Sequence, residues 1–280
     1  MKQMESMMGD MFAARIPDEG EYWNEKDGLI YCKKCETPRQ RQLVLKGKVQ
    51  VLPSWCQCQR EEHDKEEAEH QEREHLAKVA ALKTGMQDRA LLEYTFENDM
   101  WFNPEIERAK AYVEQWEIMR KQGLGLVIWG GVGTGKTFIA GSIANALIEK
   151  EVSVWMSTVG YLLKRLSRLR WEARGEFLEH LNQYALLVID DLDAERNTSY
   201  ALEQLYQIID NRYRRKLPLI VTTNLTLEEM KHPADMSRER IYSRVLGRCV
   251  PLKINNRNIR EVEAAENMKL ARQILVPEQI

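Results

Sequence analysis

The stretch LVIWGGVGTGKTF, residues 126–138, runs from apolar residues through four closely spaced glycines to a lysine and a threonine. It fits the spacing G-x-x-x-x-G-K-[ST], with Gly130, Gly135, Lys136 and Thr137 at the fixed positions. Strand-like LGLVIW precedes it and helix-like TFIAGSIANALIEK follows, which is the context such a loop requires. Glycines let successive N–H groups turn inward around phosphate oxygens, and the start of the helix adds the positive end of its dipole. Lys136 is then placed to reach the outer phosphates of ATP, and the Thr137 hydroxyl to take Mg²⁺. Gly130, Gly131, Val132, Gly133, Thr134, Gly135 and Phe138 complete the expected nucleotide site.

Outward from this loop, apolar runs at 124–129, 152–156, 185–189, 217–223 and 249–254 alternate with amphipathic stretches. That alternation predicts an α/β fold, a parallel sheet sandwiched by helices. The run YALLVIDDLD ends in two carboxylates, Asp190 and Asp191, at the carboxyl end of a strand, where open α/β sheets gather their ligands. Asp190 suits Mg²⁺, and Asp191, one residue on, suits polarising an attacking water. A further strand, LPLIVTTNL, delivers Asn224 with Thr223 to the same edge, as a γ-phosphate partner or as an ordinary polar turn.

The chain of 280 residues has room for this domain and an accessory module. Its formal net charge of −2, from 41 basic and 43 acidic residues, offers no bulk field for a polyanion, so any nucleic-acid surface must be local. The opening MKQMESMMGDMF lacks the uninterrupted apolar core of a signal peptide, and no segment has the roughly 18 apolar residues of a bilayer span. A cytoplasmic protein without a membrane partner is expected.

Four of the five cysteines fall between Cys32 and Cys58, which in a reducing compartment favours a metal over disulfides. Cys32-x₂-Cys35 and Cys56-x-Cys58 are two close pairs of soft ligands suited to tetrahedral zinc, with a redox pair as the alternative. Four ligands leave no open position, so the site is read as structural. LVLKGKVQVL, inside this module, alternates as a hairpin does. His63 could replace a cysteine as ligand, but with His70 and His75 it falls in a charged helical stretch and reads as solvent-facing; Cys249 reads as a small buried residue. In that stretch Glu61/Lys65, Glu69/Arg73 and Glu74/Lys78 stand at i,i+4. The expected organisation is a zinc-binding module over 1–59, a charged helical linker over 60–85 and an ATPase domain over 86–280.

With these motifs in place, the region 90–262 resembles a AAA+ ATPase of the DnaC/DnaI helicase-loader group, to which the transposon helper IstB is similar. The likeness rests on YTFEND, GGVGTGKTFIAGSIANAL, VIDDLDAERNTSYALEQLYQIIDNRY, IVTTNLTLEEM and RIYSRVLGRC, in that order. It implies that Lys136 and Thr137 bind ATP·Mg²⁺, that Asp190 coordinates the metal, that Asp191 activates water and that Asn224 senses the γ-phosphate. Arg244 matches the arginine finger, acting on ATP held by a neighbouring subunit, with Arg240 one turn earlier as a weaker candidate and Arg260 near a second sensor arginine. Asp191 stands where AAA+ proteins usually carry glutamate, one methylene longer, so slow hydrolysis is expected.

The resemblance further implies that YLLKRLSRLRWEARGEF is an extra helix touching single-stranded DNA inside a ring or spiral of subunits. Lys164, Arg165, Arg168 and Arg170 would track phosphates and Tyr161 or Trp171 stack on a base; an ordinary solvated basic face is the plainer alternative. The cysteine module would dock on a hexameric replicative helicase. The alternatives to a helicase loader are an IstB-like transposition helper and a non-hydrolysing, nucleotide-gated adaptor.

Overall fold

The computed structural model describes residues 16–45, 48–99, 103–193, 198–233 and 235–275. The N-terminal stretch weighed above as a signal segment and residues 194–197 of the aspartate-bearing stretch lie outside the described residues. The chain divides between Leu76 and Ala77 into two units.

In the first unit, β1 (Glu21–Asn24) pairs antiparallel with β2 (Leu29–Cys32), and β3 (Gln40–Leu45) with β4 (Lys48–Pro53). The second pair is the hairpin read from its alternation, with Val44 opposite Val49. So small a unit buries little, and its interior includes paired polar groups. The buried Glu21 carboxylate accepts from Arg39 at 2.7 Å, and the Gln40 side chain accepts from the Ile30 amide at 2.9 Å. The charged helix α1 (Gln57–Leu82) follows, and Val79 near its end is buried. Of the cations in the expected pairs, Lys65 faces Glu69 at 3.9 Å and Lys78 faces Glu151 at 3.4 Å. Exposed pairs are worth only a few tenths of a kcal/mol, so sequence order does not decide which partner is met.

The second unit holds five parallel strands: β5 (Gly125–Gly130), β6 (Val154–Thr158), β7 (Leu186–Asp190), β8 (Leu219–Thr223) and β9 (Cys249–Ile254). They are ordered β6-β7-β8-β5-β9, so β5 and its phosphate loop lie between β8 and β9. Burial on both faces explains the nearly continuous apolar runs. Leu126, Ile128, Leu186, Val188 and Ile220 point to one layer, where α2 (Ile106–Glu114), α3 (Trp116–Gln122) and α4 (Lys136–Glu149) pack. Val127, Leu187, Ile189 and Val221 point to the other. There lie α5 (Val159–Arg168), α6 (Trp171–Gln183), α7 (Ser199–Arg214), α8 (Leu227–Lys231) and α9 (Met236–Leu246). The chain then runs from β9 into α10 (Ile259–Leu275).

Local chemistry sets several helix starts. Thr158 and Thr198 cap α5 and α7, Thr226 and Glu229 form a reciprocal capping box on α8, and Asp235 caps α9. The basic stretch expected as one helix is two. Leu169 and Arg170 adopt extended backbone and separate α5 from α6. The turn lets Phe177 and Leu181 of α6 join Leu162 and Leu166 of α5 in one cluster, and the Arg174 Nε donates to the Leu169 carbonyl it exposes. Burying four such side chains is worth on the order of 1.5–3 kcal/mol each, enough to override helical continuity.

Candidate functional site

The loop after β5 needs backbone conformations that side chains resist. Gly133 has φ +73° and Gly135 φ +95°, and a Cβ on Gly133 would stand 1.8 Å from the Asn258 Oδ1. The Ile259 amide donates to the Gly133 carbonyl at 2.9 Å, so the start of α10 clamps the loop. Thr134 closes the turn by donating to the Gly131 carbonyl at 2.9 Å. Phe138 faces Tyr94, ring centroids 5.4 Å apart.

Loop residues 132–138 line a cleft of about 340 Å³. Asp191 and Asn224 from the strand ends line it too, as do Tyr94, Asp99 and Asn103 on one side and Arg260 and Glu263 of α10 on the other. The Lys136 ammonium, which is buried, donates to the Gly130 carbonyl (3.0 Å), the Gly131 carbonyl (2.7 Å) and Asn224 Oδ1 (2.7 Å). Burial lowers its pKa from the ordinary lysine value, against the pull of Asp191, Asp193 and Asp190.

The Thr137 hydroxyl lies 3.0 and 3.1 Å from the two Asp190 oxygens. Asp190 also accepts from Thr222 Oγ1 at 2.6 Å. Burial raises the Asp190 carboxyl above its usual range, partly offset by these hydroxyls and by Lys136. A hydroxyl and a carboxylate converging this closely match the hard oxygen donors that Mg²⁺ takes, so these two side chains would hold it. Asp191 follows with φ +54°, its amide donating to Thr222 Oγ1 at 2.9 Å. This left-handed turn separates its side chain from that of Asp190.

Two contributors are not singled out by the motifs. Thr222 ties both aspartates to β8. Asp193 accepts from Thr223 Oγ1 (2.9 Å), the Asn224 amide N–H (3.0 Å) and Asn224 Nδ2 (3.0 Å). The fourth residue of DDLD is visible as an acid; that it reaches β8 depends on the turn at Asp191.

Arg244 is not among the residues that line this cleft. On α9, its Nε donates to Asp210 at 2.5 Å, its Nη2 to the Tyr206 hydroxyl at 3.1 Å and its Nη1 to the Arg240 carbonyl at 3.3 Å. Arg240 stacks on the Tyr206 ring, 4.0 Å from its centroid. All four basic candidates on α5 and at the start of α6, Lys164, Arg165, Arg168 and Arg170, are exposed. Arg165 lies over the Phe177 ring at 5.0 Å and the Trp155 ring at 5.7 Å. Trp171 is 79% exposed and Tyr161 37%.

In the first unit Cys32, Cys35, Cys56 and Cys58 bring their sulfurs within 4.8 Å of one another. Cys32 and Cys58 stand 3.6 Å apart, and Cys56 and Cys58 3.3 Å. Tetrahedral zinc with bonds of about 2.3 Å separates its sulfurs by about 3.8 Å, so the quartet fits zinc with a small expansion. The Thr37 hydroxyl draws the Cys35 thiol down to about 5, while Cys58, crowded by Cys56 and Cys35, is pushed up to about 12. Thiolates compressed into one site oppose each other's ionisation, and a divalent cation relieves that. His63 stands apart in role: it stacks on Trp55, centroids 4.5 Å apart.

Among curated proteins, the chain is 29% identical over 150 residues to the replicative helicase loader DnaI of Bacillus subtilis, covering 50% of this chain and 48% of that protein. It is 29% identical over 128 residues to the replicative helicase loader DnaC of Escherichia coli (45% and 51%). It is 31% identical over 140 residues to an insertion sequence IS232 putative ATP-binding protein of Bacillus thuringiensis (47% and 53%). The chain thus spans about half the length of the curated relatives it matches. Among solved structures, DnaI superimposes with a TM-score of 0.53 at 24% identity, covering 63% of this chain and 98% of that one. AMPPCP-bound DnaA from Aquifex aeolicus gives 0.52 at 18% identity (65% and 66%). These likenesses show the fold, the parallel sheet between helices expected of a AAA+ domain. The IstB-like ATP binding protein family matches over residues 57–266, taking in the loop, both aspartates, Asn224 and Arg244, and the chain belongs to that family.

Proposed function

We propose that this protein is an ATP-dependent loader of a hexameric replicative helicase, which it engages together with single-stranded DNA. The observation that carries the reading is the presence on one chain of a lysine–threonine–carboxylate nucleotide cleft and a separate four-sulfur module. The names of the DnaI and DnaC relatives support the loader role. Lys136 neutralises the outer phosphates, and the loop amides of residues 130–138 cradle them. Thr137 and Asp190 would hold Mg²⁺, which when bound supplies further positive charge to the phosphates. Asp191 accepts the proton of the attacking water, and Asn224 reads the γ-phosphate. Arg244 serves a neighbouring subunit of a ring or spiral, where such a guanidinium is worth about 10³–10⁵ in rate. Asp191 is a short base, so turnover is slow and ATP acts chiefly as an assembly signal.

Zinc held by Cys32, Cys35, Cys56 and Cys58 fixes the module over 1–59 for docking on the helicase. The linker over 60–85 tethers it to the ATPase domain over 86–280. Lys164, Arg165, Arg168 and Arg170 contact DNA without regard to sequence.

The test is capture of a hexameric helicase by the full chain, with and without ATP·Mg²⁺. Capture that is lost in Lys136→Ala supports the proposal. The likeness to the IS232 protein favours a second reading, a transposition helper. Filaments on double-stranded DNA with no helicase captured would replace the first reading with that one.

A further inference from the structure

The hydrogen bonds around Asn224 fix which end of its amide faces Lys136. A lysine ammonium only donates and a carboxylate only accepts, so each neighbour dictates the amide end it meets. Lys136 Nζ lies 2.7 Å from one end, which must be the carbonyl oxygen. Asp193 Oδ2 lies 3.0 Å from the other, which must be the NH₂ group. Asp193 is ionised here: burial raises its carboxyl, but the hydrogen bonds from Asn224 and Thr223 outweigh that and the net direction is down. The carbonyl oxygen is therefore the end presented to Lys136, and one of the two N–H donors of the NH₂ group is held by Asp193, so the amide does not offer a donor at the lysine's position.

We propose that Asp193 is a positioning residue that holds the Asn224 amide with its acceptor toward Lys136 and one donor away, so that a γ-phosphate taking the lysine's place must turn the amide to be sensed. The inference rests on reading the cleft as an ATP site. Asp193 reaches Asn224 because the left-handed Asp191 turns the chain back over β8, where the Leu192 amide donates to the Thr222 carbonyl at 2.9 Å. Its Oδ1 takes the Thr223 hydroxyl and the Asn224 backbone amide, which fixes the carboxylate and leaves Oδ2 for the side chain alone. Lys136 has three donors, and all three are satisfied by the protein: Gly130, Gly131 and Asn224. A β-phosphate withdraws the lysine; only a γ-phosphate also demands the amide donor. Asp193 thereby taxes ATP more than ADP.

Asp193→Asn keeps the shape and the two bonds at Oδ1 but puts a donor where Oδ2 was. Asn224 then turns its carbonyl to that donor and its NH₂ to the phosphates. Binding of a fluorescent, non-hydrolysable ATP analogue and of fluorescent ADP, each with Mg²⁺, is measured on the full chain. Asp193→Asn is expected to raise the ratio of ATP-analogue to ADP affinity by about tenfold, the scale of one charge-assisted hydrogen bond. In an Asn224→Ala background the same substitution should change the ratio by less than about twofold, since its effect passes through that amide. Asp193→Glu, still acceptor-only, should keep the wild-type ratio. An equal change for both nucleotides, or an increase that persists with Asn224→Ala, overturns the proposal and leaves the ATP site standing. Failure of the unsubstituted chain to bind either nucleotide overturns both.

Discussion

Asp190 is a carboxylate whose surroundings favour its neutral form until a cation arrives. Its folded pKa is raised above the ordinary 3.8 by burial. Between 3.8 and that raised value the folded chain keeps a proton that the unfolded chain has lost. The empty protein therefore loses stability as pH rises through this window and remains less stable above it. Asp190→Asn removes the penalty while leaving the Thr137 and Thr222 hydroxyls a polar partner. Its nucleotide-free melting temperature should rise by roughly 2–4 °C, the equivalent of about 1 kcal/mol in a domain of this size. Mg²⁺-dependent ATP hydrolysis should fall to background in the same variant. Calorimetric melting at pH 7 checks the first outcome and phosphate release the second; a lower melting temperature would mean that the two threonine bonds outweigh the burial.

The five strands and the helix after the loop are legible in the sequence because each is buried on both faces or amphipathic at one period, so local pattern and tertiary environment agree. The cysteine quartet is legible for a similar reason, since spacing alone restricts it to one small site. The break at Leu169–Arg170 is not legible: the leucines continue at helical spacing, and only Phe177 and Leu181, met in three dimensions, reward the turn. Arg165 reads as one of four equal cations, yet its stacking on Phe177 and Trp155 depends on that same turn. Within the proposed DNA contact, Lys164, Arg168 and Arg170 are the candidates whose cations are not given to these two rings. Neutralising those three should weaken single-stranded DNA binding and reduce its log–log salt slope by about 2, at roughly 0.7 per phosphate contact. Fluorescence anisotropy across a salt series measures it. For the sulfur quartet, the purified chain should carry stoichiometric zinc by elemental analysis. Chelation should abolish helicase capture while leaving nucleotide binding by the second unit in place; capture that survives complete zinc removal would separate the metal from docking.

At the scale of the whole molecule, the question is whether a cleft and an arginine on one chain serve each other or serve neighbours. Arg244 is absent from its own cleft and held on α9 by Asp210, Tyr206 and the Arg240 carbonyl. Those bonds use three of the five N–H donors of a guanidinium and leave two. An arginine placed in this way is half-buried, with two donors that no hydrogen bond among the described residues uses. Mixing two inactive variants tests this directly. Lys136→Ala cannot hold ATP but retains Arg244; Arg244→Ala holds ATP but lacks the guanidinium. Each alone should hydrolyse at background. Mixed in equal amounts with DNA and helicase present, the first lends its arginine to ATP on the second, and activity should return to about a quarter of wild type if subunits assort at random. Action within one chain predicts no recovery at any mixing ratio, because no chain in the mixture carries both groups.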